Sequence, residues 1–376
     1  MKKVIKNILN VTVILLGIIF LLTATVSAED FEDENTLYKR QFESSGANEL
    51  NSALSKDTSR ILDQLGIDPS SPEGIFSPDA KSIFSLLGDF FNSGIKDPLK
   101  AAISITGIIL ILSSVNGLII TTAPNGISIF ICFIASMLTL EPIYSLMGSI
   151  CEAIKSLSSF MLSFVPIYSG IMLSGGKTLA AGGFSTLLLG AAETVTYIIS
   201  YCFVPIAGGA MCLGICGSIS PVAGITRLSE WIKKSANWAM GIATTLFLSI
   251  LSVQNTIAAA SDTVGMRTSK AVISTTIPVM GPAIAETLNT AKACISLLRS
   301  GVGIYAVAAI LVIALPIIIE LLLWRFSMWI TSAVAEMFGL ISVSSLFRSV
   351  DFALSILLGA VFFTALLFII SLAISI

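Results

Sequence analysis

From residue 101 to residue 376 the chain runs as one apolar segment after another, broken by only 20 charged residues and often by glycine or proline instead. A soluble domain has roughly a quarter of its residues charged, whereas this chain is 12% charged and 55% hydrophobic. Its mean hydropathy of +0.94 exceeds what any soluble core explains. In lipid every backbone polar group must be satisfied within the protein, so the expected fold class is all-α, a polytopic helical membrane protein.

Charge divides the chain more sharply than length does. Residues 29–100 hold 14 acidic and 7 basic side chains, a net of −7, while 101–376 hold 9 and 11, a net of +2. The first 28 residues read as a secretory signal: Lys2, Lys3 and Lys6, an apolar run from Ile8 to Leu22, then small residues at Val26-Ser27-Ala28. Cleavage after Ala28 is expected; the alternative is an uncleaved first membrane helix. Three regions follow: 1–28 as a cleavable signal, 29–98 as an acidic extracytoplasmic segment, and 99–376 as the multi-spanning membrane domain.

Histidine is absent, which removes a histidine general base, a Ser-His-Asp triad and imidazole metal ligands. All six cysteines lie in the apolar part, so no disulfide framework holds the acidic segment. Cys212 and Cys216 share a helix face, but with no third ligand type nearby small apolar packing is the better reading. The residues offer no catalytic group, cofactor site or metal site, and nothing points to nucleic acid. An enzyme is not expected.

Residues 29–43 are acidic with little to bury and read as a tether. Ala47, Leu50, Leu54, Ile61 and Leu65 then form one helical stripe that Gly66 is placed to end. After a proline-containing loop, Ser77-Pro78 can open a second helix. Its Ile83, Phe84, Leu87, Phe90 and Phe91 suit the membrane surface, a partner, or packing on the first helix. Both short helices are amphipathic.

Candidate spans are 101–121, 127–149, 157–175, 183–204, 205–220, 238–260, 302–323, 328–346 and 352–375. Most have the roughly 20 residues needed to cross the hydrocarbon. The glycine-rich 205–220 piece is short and reads as half of a broken helix. The 261–301 stretch, with Pro278, Gly281 and Pro282, is a second re-entrant candidate. Simple alternation puts Arg227, Lys233 and Lys234 inside but Arg267 and Lys270 outside, which strains the positive-inside rule, so one of these pieces is miscounted.

Phe164-Val165-Pro166-Ile167 with Gly170 and Met172 is echoed by Phe203-Val204-Pro205-Ile206 with Gly209 and Met211. Proline removes a backbone donor, so Pro166 with Gly170, Pro205 with Gly209, and Pro278 with Gly281 are candidate helix breaks. Paired broken helices are a way of building a midplane site. Gly175-Gly176-Lys177-Thr178 resembles the end of a phosphate loop, but Ile171 stands where its first glycine belongs, so Lys177 reads as an interfacial anchor. Four carboxylates fall inside apparent spans. Glu141 and Glu320 lie near span ends and can reach the interface; Glu193 and Glu336 lie deeper and are the candidate buried acids, facing a lumen or pairing with a base.

The most polar stretch runs through Ser252-Val253-Gln254, Asp262, Arg267 and Lys270 to Pro278-Val279-Met280-Gly281. Gln254, Asp262, Arg267 and Lys270 form a candidate polar constellation at the membrane boundary. Here the chain resembles the stage III sporulation protein AE family of endospore-forming Firmicutes. The resemblance is most specific at Ser252-Val253-Gln254, at Arg267-Thr268 with Lys270 and at Pro278-Val279 with Gly281, and weaker at Ser174-Gly175-Gly176.

That resemblance implies an integral subunit of a channel or secretion-like complex in the mother-cell membrane around the forespore, supporting late forespore development. Its implied partners are sister subunits from the same sporulation operon, a forespore membrane protein across the intermembrane space, and a YidC/Oxa1-type insertase for biogenesis. A free-standing secondary transporter, binding a solute between broken helices, is the alternative.

Overall fold

The computed structural model describes residues 39–68 except 53, residue 70, 80–118, 124–219, most of 228–260, and 281–375. The proposed signal lies outside these residues. Among the described residues there is no strand, and five helices are long and apolar enough to cross a membrane. The chain is a polytopic all-α protein.

The acidic segment folds onto the membrane domain. Ala47–Leu50 forms a 3-10 turn, and α1 spans Lys56–Gln64. Ser55 caps α1 by accepting from the Thr58 backbone N–H at 3.2 Å. Gly66, at φ 69°, ends it as expected, with the Ile67 N–H donating to the Leu62 carbonyl at 3.0 Å. Leu50, Leu54, Leu62 and Leu65 join the same buried cluster as the long helices. The stripe is interrupted by a turn rather than carried on one helix.

α2 spans Ala80–Gly94 and α3 spans Lys96–Leu118. Leu86 is buried and Ile83 and Phe90 pack on the core, while Phe84 (74% exposed) and Phe91 point outward. At its end Gly94 lies so close to α8 (Gly281–Met337) that an added Cβ would sit 3.4 Å from Leu323 Cδ1. Ser327 of α8 donates to the Pro98 carbonyl at 2.8 Å. The second helix therefore docks on α8.

The expected spans merge. α4 covers Pro124–Ser174 without interruption, so 127–149 and 157–175 are one 51-residue helix. α5 (Thr178–Ile198) and α6 (Val204–Ile219) are joined by a π-helical segment, Ile199–Phe203. α7, Lys234–Gln254, is a loosely packed apolar helix. α8 absorbs 302–323, the first half of 328–346 and part of the re-entrant candidate; α9 is Ile341–Ser375 and takes in the end of 328–346. The polar residues between the expected spans, Glu152, Lys155 and Arg325 among them, are good helix formers, and helices this long present them without breaking.

Side-chain bonds fix an antiparallel register. Tyr168 of α4 faces Arg299 of α8 at 3.3 Å, Ser158 of α4 donates to the Ala192 carbonyl of α5 at 2.8 Å, and Ser218 of α6 lies 3.0 Å from Ser345 of α9. A ladder of Phe160, Phe164, Tyr168 and Phe184, with ring centroids 5.2–5.8 Å apart, packs α4 on α5. α9 is apolar all round and almost wholly enclosed, as such a helix must be.

Two helical hairpins turn identically. Gly176 (φ 78°) ends α4, with Lys177 N–H bonded to the Met172 carbonyl; Gly339 (φ 70°) ends α8, with Leu340 N–H bonded to the Ala335 carbonyl. Both are Schellman-type caps. The phosphate-loop look of Gly175-Gly176-Lys177 is thus helix-capping chemistry.

Candidate functional site

Three helices bring their charges together midway along the bundle. Asp97 and Lys100 come from the first turns of α3, Glu141 from α4 and Glu320 from α8, around a cleft of about 400 Å³ that Ser104, Ser145, Ser149 and Trp324 also line. Glu320 is half-buried and Trp324 closes the floor at 1% exposure. Neither Glu141 nor Glu320 sits at a helix end, because the spans whose ends they were assigned to are continuous helices. Pro142 explains why the cleft opens here: it removes the N–H that would bond the Leu138 carbonyl, leaving that side of α4 open to polar contact.

One turn beyond the cleft, Arg325 grips Asp351 of α9, its Nε 2.7 Å from Oδ1 and its Nη2 3.5 Å from Oδ2. This fork-shaped pair, with side chains 14% and 27% exposed, locks the α8–α9 hairpin in register. Nearer the hairpin tip, Glu336 accepts from Ser344 at 2.8 Å and pairs with Arg348.

The expected site residues are mostly not gathered there. Glu336 is not a buried acid: it stands one residue before the end of α8, is 46% exposed, and pairs with Arg348 because Gly339 turns the chain back on itself. Glu193 is exposed on α5, since the face of that helix turned inward is the one bearing Ala191, Ala192 and Val195. Gln254 presses its carboxamide onto Gly183 of α5, where any side chain would collide with it. Asp262, Arg267, Lys270 and Pro278 lie outside the described residues, and Gly281 opens α8.

The two proline sites are not equivalent. Pro166 lies inside an unbroken α4 with Gly170 helical beyond it, whereas Pro205 and Gly209 follow the π segment, in which the Val204 N–H donates to the Ile199 carbonyl. A π turn absorbs the extra residue and re-aims the helix, so the six-position sequence match does not repeat as structure. Pro205→Ala is therefore expected to impair function while Pro166→Ala is close to silent. Sporulation efficiency measured beside membrane abundance for both variants checks this; equal defects would restore the repeat.

Long apolar helices packed around a polar cleft define a polytopic membrane protein with an ionisable site among its helices. The chain belongs to the stage III sporulation protein AE family, whose sequence profile matches residues 73–376. Stage III sporulation protein AE of Bacillus subtilis (strain 168) is 28% identical over 188 residues, which cover 50% of this chain and 47% of that relative. The chain thus spans about half the length of the curated relative it matches. No solved structure matches it.

Proposed function

We propose that this chain is a non-enzymatic membrane subunit of the sporulation apparatus joining mother cell and forespore, placed in the mother-cell membrane around the forespore. Membership of the stage III sporulation family, over residues 73–376, carries the reading. The architecture supports it: α8 is 57 residues long, about 85 Å as a straight helix, against roughly 30 Å of hydrocarbon. A bundle of that length reaches well beyond one bilayer and offers sister subunits and a forespore partner surfaces to meet. A YidC/Oxa1-type insertase suits the biogenesis of so apolar a chain.

Deleting the gene is expected to leave vegetative growth intact and to arrest sporulation after engulfment, with late forespore gene expression lost. The tagged chain should co-purify its sister subunits from sporulating cells. Normal spore yield from the deletion strain would sink the proposal.

The cleft around Glu141 and Glu320 keeps the transporter reading in play, since intramembrane carboxylates commonly mark ion paths. Reconstitution separates the two. Solute uptake by vesicles containing this chain alone, abolished by Glu320→Gln, would favour the transporter; uptake that needs the sister subunits would favour the apparatus.

A further inference from the structure

Between Arg299 and Glu320, α8 carries no charge for 20 residues, and α9 carries none after Asp351. Twenty helical residues rise about 30 Å, the thickness of the hydrocarbon. The register of α4 against α8, fixed at Tyr168–Arg299, sets Lys155 opposite residue 312, near the middle of this slab. Ser158 bonded to the Ala192 carbonyl sets Glu193 of α5 at the same depth.

Lys155, Glu152 and Glu193 are nevertheless exposed on the outside of the bundle. None of them takes part in either ion pair among the described residues. The rest of the outer face of α4 agrees with them. Past Lys155 it presents Ser156, Ser159, Ser163, Pro166 and Ser174, relieved only by Leu162 and Leu173, while Leu157, Phe160, Phe164 and Tyr168 point inward. A lipid-facing helix would have the opposite polarity. α7 shows that polarity at the same depth: it lies along Thr186–Ile198 of α5, and Leu246 and Ile250 are exposed on it.

The serines alone would not decide the matter, because Ser163 and Ser174 donate to carbonyls of their own helix. The three charges do. Each costs several kcal/mol in hydrocarbon, and a covering helix would have to bury them too. We propose that the outer face of α4 from Ser149 to Pro166, with Glu193 of α5, lines a water-filled passage at membrane depth. This deepens the apparatus reading by giving its conduit a wall, yet it stands or falls on a measurement independent of sporulation.

The full chain, with its native cysteines replaced, would carry single substitutions Ser156→Cys, Ser159→Cys, Ser163→Cys, Leu246→Cys or Ile250→Cys in membranes from sporulating cells. A small cationic methanethiosulfonate should modify the three serine positions about tenfold or more faster than Leu246→Cys and Ile250→Cys. A polyethylene-glycol maleimide too bulky for a pore should modify none of the five. Equal slow reaction at all five positions, or oxidant-driven cross-linking of Ser159→Cys to a second copy, would overturn the proposal. Ready reaction of the serine positions with the bulky reagent would also overturn it, since α4 would then stand free in solvent. Spore yield of each variant, scored separately, tells loss of the passage from loss of the sporulation role.

Discussion

Arg325→Ala should remove most of the protein from the membrane, costing about 3 kcal/mol, because it strands Asp351 inside the central hairpin. Asp351→Ala should do the same by stranding Arg325. The pair joins α8 to α9 away from the hairpin tip, where Ser332 meets Ser344 at 3.0 Å and Glu336 pairs with Arg348, so it extends the polar register of the hairpin along its apolar length. Removing both charges together, as Arg325→Leu with Asp351→Leu, should restore much of the abundance, since desolvated pairs are often replaceable by apolar groups. Quantitative immunoblotting of membranes, with the melting temperature of the detergent-purified protein, measures each step. If the double variant is as depleted as the singles, the pair has a role beyond neutralising its own charges.

The hairpin pair shows what the sequence did and did not make legible. Arg325 and Asp351 fall in the short gaps between the candidate spans 302–323, 328–346 and 352–375. Their joint meaning needed the register of α8 on α9, which depends on where Gly339 turns the chain. The helix ends carried by glycine were readable: Gly66 stops α1 where the pattern placed it. Helix continuity was not, because the charges between the apolar runs, Glu152 and Lys155 in α4 and Arg325 in α8, sit inside unbroken helices. Counting spans by apolar length alone therefore divided single long helices in two.

The cleft was hidden for a related reason. Asp97 and Lys100 were assigned to the boundary of the acidic segment, and Glu141 and Glu320 to separate span ends, so no local pattern joined them. They meet because α3 follows α8 from Pro98 at Ser327 while α4 runs back along it. The outer serines of α4 were present in the sequence as an ordinary low-complexity background. Only knowing which side is buried turns them into a polar face.

Gly214→Val should be more disruptive than any other single change to the glycine-rich 205–220 piece. α6 and α9 approach so closely at Gly214 that an added Cβ would overlap Ser349 Cβ, and Ser218, one turn on, is already bonded to Ser345. Small residues at such crossings let backbones come together in a membrane. Valine would force the two helices apart, with an expected cost of about 3 kcal/mol from overpacking. Neighbouring Gly208 and Gly209 have open space where a Cβ would go, so Gly208→Ala and Gly209→Ala should retain near-normal abundance. Ser349→Gly removes the clashing atom and should partly rescue Gly214→Ala, whereas Ser349→Ala, which keeps that Cβ, should not. A cycle of these variants read by thermal stability in detergent decides between close backbone contact and mere apolar packing. Full tolerance of Gly214→Val would mean that α6 is not seated on α9 in the native membrane.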